Sequence, residues 1–139
     1  MSKVTNMGYM FKDCILDSFI PFRGSSANVI KMNNMFNNFG CSGNFSLDFL
    51  DTRNCIDMSE MFDYCILKTI NLSGFDTRKV KDMSYMFRDC YSAETINIDS
   101  IKFKEVGVNY EGMFNGKSRS EVPDCVPDFI RNDLVELDY

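Results

Sequence analysis

Residues 80–90 read VKDMSYMFRDC, and the same order of apolar and polar residues recurs on both sides of this stretch. Each recurrence contains a Met-Phe pair, and the phenylalanines of these pairs are separated by 25, 26, 25 and 27 residues. They are Phe11, Phe36, Phe62, Phe87 and Phe114. Self-similarity at a period of about 20 to 50 residues is the sequence signature of a repeat protein. The chain therefore contains five copies of one unit.

Several positions besides the phenylalanine keep their residue type. Counted from that phenylalanine, Met stands at −1 in every copy and at −4 in four copies, with Tyr110 in the fifth. Cys stands at +3 in three copies, and Asn or Asp stands at −5 in four. Positions −4, −1, 0 and +3 share one face of an α-helix, and Asn or Asp before that helix can cap its first turn. Each copy is therefore predicted to begin with a short capped helix that buries its Met-Phe face.

A short alternating segment follows the predicted helix in most copies. Residues 45–49, 69–72 and 95–99 alternate apolar with polar side chains, as half-buried strands do. The two-residue period of a strand places Asn71 and Asn97 away from the core. One short strand and one short helix per copy predict an α/β protein, a solenoid of about five stacked coils of 25–27 residues.

The two ends of the repeat region differ. After residue 117, Pro123 and Pro127 precede apolar residues at near-helical spacing: Phe129, Ile130, Leu134 and Leu137. The prediction is a repeat solenoid over residues 1–117 and a C-terminal cap over residues 118–139. No comparable cap precedes the first coil, and an uncovered coil end tends to pair with another chain. We therefore expect an association edge there, which is either a homo-oligomer interface or the cut edge of a longer protein. Its residues are Val4, Met7, Phe19 and Ile20.

Charge and composition exclude several functions. The net charge is −5, the pI is near 4.7, and the basic residues form no run, so we expect no nucleic-acid partner. No stretch of eighteen apolar residues occurs, so we expect no membrane insertion. The chain opens without the apolar stretch of a signal peptide, which predicts that it is not exported by such a signal.

Catalytic, cofactor and metal sites are also not expected. The chain has no His, so a Ser-His-Asp or Cys-His arrangement cannot be assembled, and no Gly-rich phosphate loop is present. The six cysteines contain no C-x-x-C pair, which argues against zinc. Four of them, Cys14, Cys55, Cys65 and Cys90, stand at repeat positions that other copies fill with Phe or Val, so we expect them to be small buried residues with reduced thiols. A disulfide between Cys65 and Cys90 is the alternative. The sequence therefore predicts a protein that is not an enzyme and holds no cofactor.

Three segments carry a resemblance to a known family: VKDMSYMFRDC at residues 80–90, TINI at residues 95–98 and NLSGFDT at residues 71–77. They resemble the BspA-like leucine-rich-repeat family, which includes the related repeat of mycoplasma surface lipoproteins. The resemblance covers about residues 3–117. It implies a leucine-rich-repeat-like solenoid, a surface or secreted location, and binding to proteins or adhesion to host surfaces. It implies no catalytic residues.

Repeat architecture and resemblance together predict a non-catalytic protein-binding module. The candidate contact residues are outward strand and turn positions: Asp51, Arg53, Asn71, Asp76, Arg78 and Asn97. The alternative for the two arginines is that they are solvated turn charges with no partner. The alternative for the whole chain is a structural or assembly component, for example of a virion, in which case the location would be intracellular or in the virion.

Overall fold

The structure is a computed structural model that describes residues 3–21, 23–132 and 134. Within these ranges the regular elements are short. The strands are β1 (Ile15–Leu16), β2 (Gly40–Cys41), β3 (Thr69–Asn71) and β4 (Thr95–Asn97), and the helix is α1 (Asp128–Arg131). β1 pairs with β2 and β3 pairs with β4, in both cases in parallel. Turns and irregular backbone make up most of the described chain.

The predicted leucine-rich-repeat-like solenoid of strand-plus-helix coils is wrong. All five Met-Phe segments lie in the described ranges, and each consists of tight turns instead of a helix. In every copy the residues at −2 and +2 have a φ between 51° and 85°. These residues are Tyr9, Asp13, Asn34, Asn38, Glu60, Tyr64, Tyr85, Asp89, Gly112 and Gly116. A right-handed helix needs negative φ throughout, so a left-handed residue every four positions prevents it.

Two successive turns reproduce the apolar spacing of a helix. In the third copy the Met61 N–H donates to the Met58 carbonyl at 3.3 Å, and the Cys65 N–H donates to the Phe62 carbonyl at 3.1 Å. The third residue of each turn, Glu60 and then Tyr64, has the positive φ that a type II turn requires. The first and last residues of both turns are the apolar positions −4, −1, 0 and +3, and all four are buried. The apolar spacing therefore identified the buried positions correctly, but the backbone conformation predicted for them, a helix, was wrong.

Backbone hydrogen bonds join equivalent positions of successive copies. Four parallel bridges connect the residues at position −5 of the five successive copies, which are Asn6, Lys31, Asp57, Asp82 and Asn109. Between the third and fourth copies, the N–H groups at −4, −2, 0 and +2 donate to carbonyls one residue earlier in the next copy, at 2.8–2.9 Å. The same four bonds recur between each pair of successive copies. N–H groups that a helix would use internally therefore bind the neighbouring copy.

The core is a ladder of stacked rings along these copies. The five marker phenylalanines are stacked with centroids 5.4–5.8 Å apart and planes within 15° of parallel. Met32, Met35, Met58 and Met61 are fully buried beside them. The predicted burial of the Met-Phe pairs is confirmed in copies two to five, whereas in the first copy Phe11 is half-buried and Met10 is 48% exposed.

The predicted helix caps are a different motif. The Oδ1 of Asp57 accepts the Ser59 N–H at 2.9 Å, and the Oδ1 of Asp82 accepts the Ser84 N–H at 2.9 Å. Asn6 makes the same bond two residues ahead, to Gly8 at 2.8 Å. An Asn or Asp side chain that binds the N–H two residues later forms an Asx turn. These side chains therefore start the first tight turn of their copies, whereas the second copy has Lys31 at this position.

The strand predictions have mixed outcomes. β3 and β4 lie where residues 69–72 and 95–99 predicted them, with Ile70 opposite Ile96 in register. Residues 45–49 are not a strand. Phe45 and Phe49 pack instead against the ring of Phe19, with centroids 5.0 Å and 5.4 Å away.

The described part of the C-terminal segment packs against the fifth copy. Val122, Val126 and Ile130 are buried, and the Phe129 ring lies 6.0 Å from that of Tyr110. The Arg131 guanidinium donates to the carbonyls of Arg119, Val122, Pro123 and Val126, which holds residues 119–131 together. Leu137 lies outside the described residues. The division of the chain at residue 117 stays a prediction.

Candidate functional site

Four of the predicted contact residues lie in two equivalent turns of successive copies. In the first turn, Arg53 donates from Nε and Nη2 to the Asp51 carboxylate at 2.9 and 2.5 Å. In the second, Arg78 donates from the same two atoms to Asp76 at 3.0 and 2.6 Å. The backbone N–H of each arginine also donates to its aspartate, at 3.2 and 3.1 Å. Each turn therefore holds one arginine in a fixed, forked pairing with an aspartate.

Buried hydroxyl groups fix the position of these turns. The Thr52 Oγ1 donates to the Asp76 carbonyl at 3.1 Å and accepts the Asp76 N–H at 2.8 Å. The Ser26 Oγ makes the same pair of bonds to Asp51, at 3.1 and 2.7 Å. Ser26 and Thr52 are 0% and 1% exposed. Each hydroxyl therefore ties one copy to the Asp-Arg turn of the next.

The sequence analysis missed these hydroxyls because it assigned Asp51, Arg53, Asp76 and Arg78 to outward turns and gave Ser26 and Thr52 no role. Thr77 is the third member of the set, and its Oγ1 accepts the Lys102 N–H at 3.3 Å. Ser26, Thr52 and Thr77 are spaced by 26 and 25 residues, which is the repeat period. The recurrence of a small hydroxyl side chain at the repeat period was the sequence signal that could have identified these buried groups.

The electrostatics keep both turns charged. The hydrogen bond from Arg78 lowers the pKa of Asp76 to about 2, and that from Arg53 lowers the pKa of Asp51. The two arginine side chains are 77% and 64% exposed. No described residue accepts a hydrogen bond from their Nη1 groups. The turns therefore present two ordered guanidinium groups to solvent at any pH above the acid range.

The two predicted asparagines have mainly local roles. Asn71 and Asn97 face each other in the parallel pair of β3 and β4. The Oδ1 of Asn71 accepts the Ser73 N–H at 3.0 Å, and the Oδ1 of Asn97 accepts the Asp99 N–H at 3.3 Å. Asn71 is exposed as expected, and Asn97 is half-buried. Both side chains shape the turn that follows their strand.

The densest charged cluster outside the predicted site is internally paired. Arg88 donates to Asp63 from Nε at 3.0 Å and from Nη2 at 2.5 Å, and its Nη2 lies 3.5 Å from Glu60. Asp63 is 1% exposed, and it also accepts from the Asn37 amide at 3.4 Å. The Arg88 guanidinium lies 4.5 Å from the centre of the Tyr85 ring. This network joins copies two, three and four and is part of the fold.

The predicted N-terminal edge is only partly exposed. Val4 is 47% exposed and Ile20 is 87% exposed. Met7 is 8% exposed, and the half-buried Phe19 ring contacts those of Phe11, Phe36 and Phe39. Of the four predicted residues, Val4 and Ile20 therefore remain available for contact with another chain.

The cysteines are free thiols; of the four predicted to be buried, Cys55, Cys65 and Cys90 are buried and Cys14 is only half-buried. The Cys90 thiol donates to the Phe62 carbonyl at 2.8 Å, and the Cys65 thiol donates to the Phe39 carbonyl at 3.4 Å. Burial raises the pKa of Cys55 and of Cys90 to about 12 and that of Cys65 to about 11. These three behave as small core residues, because a thiol that is protonated at neutral pH is a poor nucleophile and a poor metal ligand.

Among the residues that the structure describes, no group of three or more His, Cys, Asp or Glu side chains is arranged to hold a metal ion. Within the same ranges, no helix is long and apolar enough to span a membrane.

Comparison with known proteins identifies a family. A family model described as "Mycoplasma protein of unknown function, DUF285" matches residues 23–123. No curated protein and no solved structure matches the chain. The mycoplasma part of the resemblance is therefore supported, and the BspA-like leucine-rich-repeat assignment is not confirmed.

Proposed function

Since the chain belongs to the family described as Mycoplasma protein of unknown function, DUF285, whose description assigns no activity, we propose from its surface that it is a non-catalytic protein-binding module. The observation that supports this proposal is the row of two Asp-Arg turns. Arg53 and Arg78 occupy equivalent places in successive copies, and both are largely exposed. Arginine is enriched among the residues that dominate protein interfaces, and the Nη1 group of each arginine, which its own aspartate does not use, can donate to a partner.

The rigidity of the row supports binding to a protein surface. Each guanidinium is held by its aspartate, and each turn is tied to the preceding copy by a buried hydroxyl. A side chain that is already ordered loses less conformational entropy when it binds. Two such groups one repeat apart form a preorganised pair of contacts.

The setting of this binding is a proposal from the resemblance. BspA-like repeat proteins are expected at surfaces, where they contact other proteins or a host. A surface or host-interaction role is therefore the form of the proposal that we favour. An assembly component remains the alternative, which would use the exposed Val4 and Ile20 as a contact between copies.

The test uses short random peptides displayed on phage, selected on the immobilised full chain. We expect enriched peptides whose affinity falls about tenfold with Arg53→Ala or Arg78→Ala, the loss that removal of one good charged contact gives. Arg23→Ala is the matched control, because Arg23 is an exposed arginine outside the row. Failure to enrich any peptide, or equal binding by all three variants, would contradict the proposal. Turnover of a small molecule by the chain would contradict its non-catalytic part.

A further inference from the structure

A cleft of about 370 Å³ lies beside the second Asp-Arg turn, between residues 78–81 and residues 104–108. Its aliphatic lining is Ile56, Val80, Val106 and Val108. Its cationic lining is Arg78, Lys79, Lys81 and Lys104. The lining includes no acidic residue. The cleft therefore combines apolar surface with a concentration of positive charge.

The cleft lies where the loop that leads into the fifth Met-Phe segment is one residue longer than its equivalents. The Lys102 N–H donates to Thr77 Oγ1, as the Asp76 N–H donates to Thr52 Oγ1, so Lys102 and Asp76 are equivalent. Seven positions separate Lys102 from the bridge residue Asn109, whereas six separate Asp76 from Asp82.

The additional residue is accommodated at Val106 and Gly107. Val106 is 84% exposed, and Gly107 has a φ of 87° that a side chain would strain. A Cβ at Gly107 would have no atom within 4 Å, so the loop stands away from the rest of the molecule there. The loop therefore forms an open wall of the cleft.

The lysines of the cleft have no acidic partner in the described part of the chain. Lys79 donates to the Asn54 side chain at 2.6 Å, and Lys104 donates to the Arg78 carbonyl at 2.8 Å. Among the described residues, Asp76 is the acidic residue whose carboxylate lies within 4.0 Å of a cleft cation, and that cation is Arg78. None of the three ammonium groups has a carboxylate within 4.0 Å among the described residues, although the charge of Lys79 also acts on Asp76 at longer range. The chain as a whole carries a net charge of −5. A cleft lined by these cations attracts negative charge.

An apolar row, formed by Ile56 and Ile30, extends from the cleft across the two earlier copies. The Lys81 N–H donates to the Ile56 carbonyl at 2.8 Å, and the Ile56 N–H donates to the Ile30 carbonyl at 2.9 Å. Ile56 and Ile30 are 37% and 39% exposed. A small inorganic anion would contact the ammonium groups and leave this row in water. An extended chain could cover both the row and the cleft.

We propose that the cleft binds an acidic protein segment in which Glu or Asp residues alternate with aliphatic ones. This inference rests on the proposed protein-binding function and specifies the partner's chemistry. The carboxylates bind Lys79, Lys81 and Lys104, and the aliphatic side chains cover Val106 and the two isoleucines. Arg78 belongs both to the row of Asp-Arg turns and to the lining of the cleft, so one bound segment can contact both.

The test measures fluorescence anisotropy of a labelled synthetic peptide of alternating Glu and Val residues with Gly-Ser flanks. We expect the full chain to bind this peptide at least about tenfold more tightly than a matched peptide with Gln in place of each Glu. Lys81→Gln should weaken binding of the Glu peptide by about tenfold, because Lys81 has no side-chain bond to retain it elsewhere. Val106→Ser should weaken binding of both peptides.

Lys68→Gln is the control, because Lys68 is an exposed lysine outside the cleft and its loss changes net charge equally. Melting temperatures of all variants should match the unmodified chain. Equal binding of the Glu and Gln peptides, or equal effects of Lys81→Gln and Lys68→Gln, would overturn the inference.

Inorganic phosphate is added as a competitor, with sodium chloride at the same ionic strength as the reference. We expect equal displacement of the peptide by both, since screening alone would act. Stronger displacement by phosphate would show a small-anion site and overturn the inference. If binding of the phage-selected peptides requires Arg53 but not Lys81, the proposed protein-binding function stands and the role of this cleft in it is contradicted.

Discussion

The Phe62 ring is stacked on the Phe87 ring with centroids 5.8 Å apart and planes 4° from parallel. Each ring belongs to a different copy, and both side chains are fully buried. Offset contact between buried aromatic rings stabilises a fold through burial and through favourable ring geometry. This pair is the centre of the ladder that joins all five copies.

Truncation of either ring should destabilise the protein strongly. Phe62→Ala or Phe87→Ala should lower the free energy of unfolding by about 3 to 5 kcal/mol, because each leaves a cavity in a fully buried position. Thermal or urea unfolding measures the effect. Val106→Ala, at an 84% exposed position, is the control and should change little. An unchanged melting temperature for both phenylalanine variants would contradict the ladder.

Loss of the Arg88 charge should also destabilise the fold. Arg88→Met leaves the carboxylate of Asp63, which is 1% exposed, without its cation. A fully buried unpaired charge costs about 3 to 5 kcal/mol, and since the Arg88 side chain is 29% exposed we expect about 2 to 3 kcal/mol. The control is Arg53→Met at an exposed pair, which should leave the urea midpoint nearly unchanged. Equal midpoints for both variants would show that the Asp63 network adds nothing.

The buried thiols should be protected from reagents. Cys55, Cys65 and Cys90 should not react with Ellman's reagent at about pH 8 in the folded protein, because their pKa values are raised to about 11 or 12. All three should react once the protein is unfolded in urea. Cys125 is exposed and is the internal comparison. Rapid reaction of the three thiols in the folded state would contradict their burial.

The same thiols predict a loss of stability at alkaline pH. Their pKa is raised on folding from an ordinary value of 9.0, so above about pH 9 the unfolded chain releases protons that the folded chain keeps. Their contribution is complete below pH 9 and falls between pH 9 and about 12. Urea midpoints measured across this window should decrease, and Cys90→Ala should make the decrease shallower. A midpoint independent of pH from 9 to 11 would contradict this prediction.

Self-association through the N-terminal edge remains a prediction. Since Val4 and Ile20 are its exposed members, light scattering should show a mass that rises with concentration and that Ile20→Asp keeps at the monomer value. Ile66→Asp, at a 50% exposed isoleucine away from this edge, is the matched control. A constant monomer mass of 16.0 kDa at high concentration would contradict the edge.

Much of the repeat organisation could be predicted from the sequence. The period, the five phenylalanines and the buried positions −4, −1, 0 and +3 follow from residue type and spacing, because burial depends on which side chains are apolar. β3 and β4 were also located correctly, since their Thr-Ile-Asn segments have the alternation and the β-branched residues of strands. These features depend on residues that are close together in the sequence.

The backbone of each copy could not be predicted in the same way. A helix and two successive type II turns bury the same four positions, so apolar spacing does not distinguish them. One local signal pointed to turns: Asp13, Asn38, Asp89 and Gly116 all stand at +2, and Asn, Asp and Gly tolerate positive φ best. The turns are favoured by bonds between copies, such as that from the Phe62 N–H to the Met86 carbonyl at 2.9 Å.

The repeat and the identity of its buried side chains therefore follow from the sequence, because both depend on local residue type. Contacts between copies set the rest: they favour turns over a helix, bury Ser26 and Thr52, and form the cleft at Lys81. Each of these depends on partners about 25 residues away, as Asp51 is from Ser26. Hydrogen bonds over that distance form only when the copies stack, so the stacking sets their geometry.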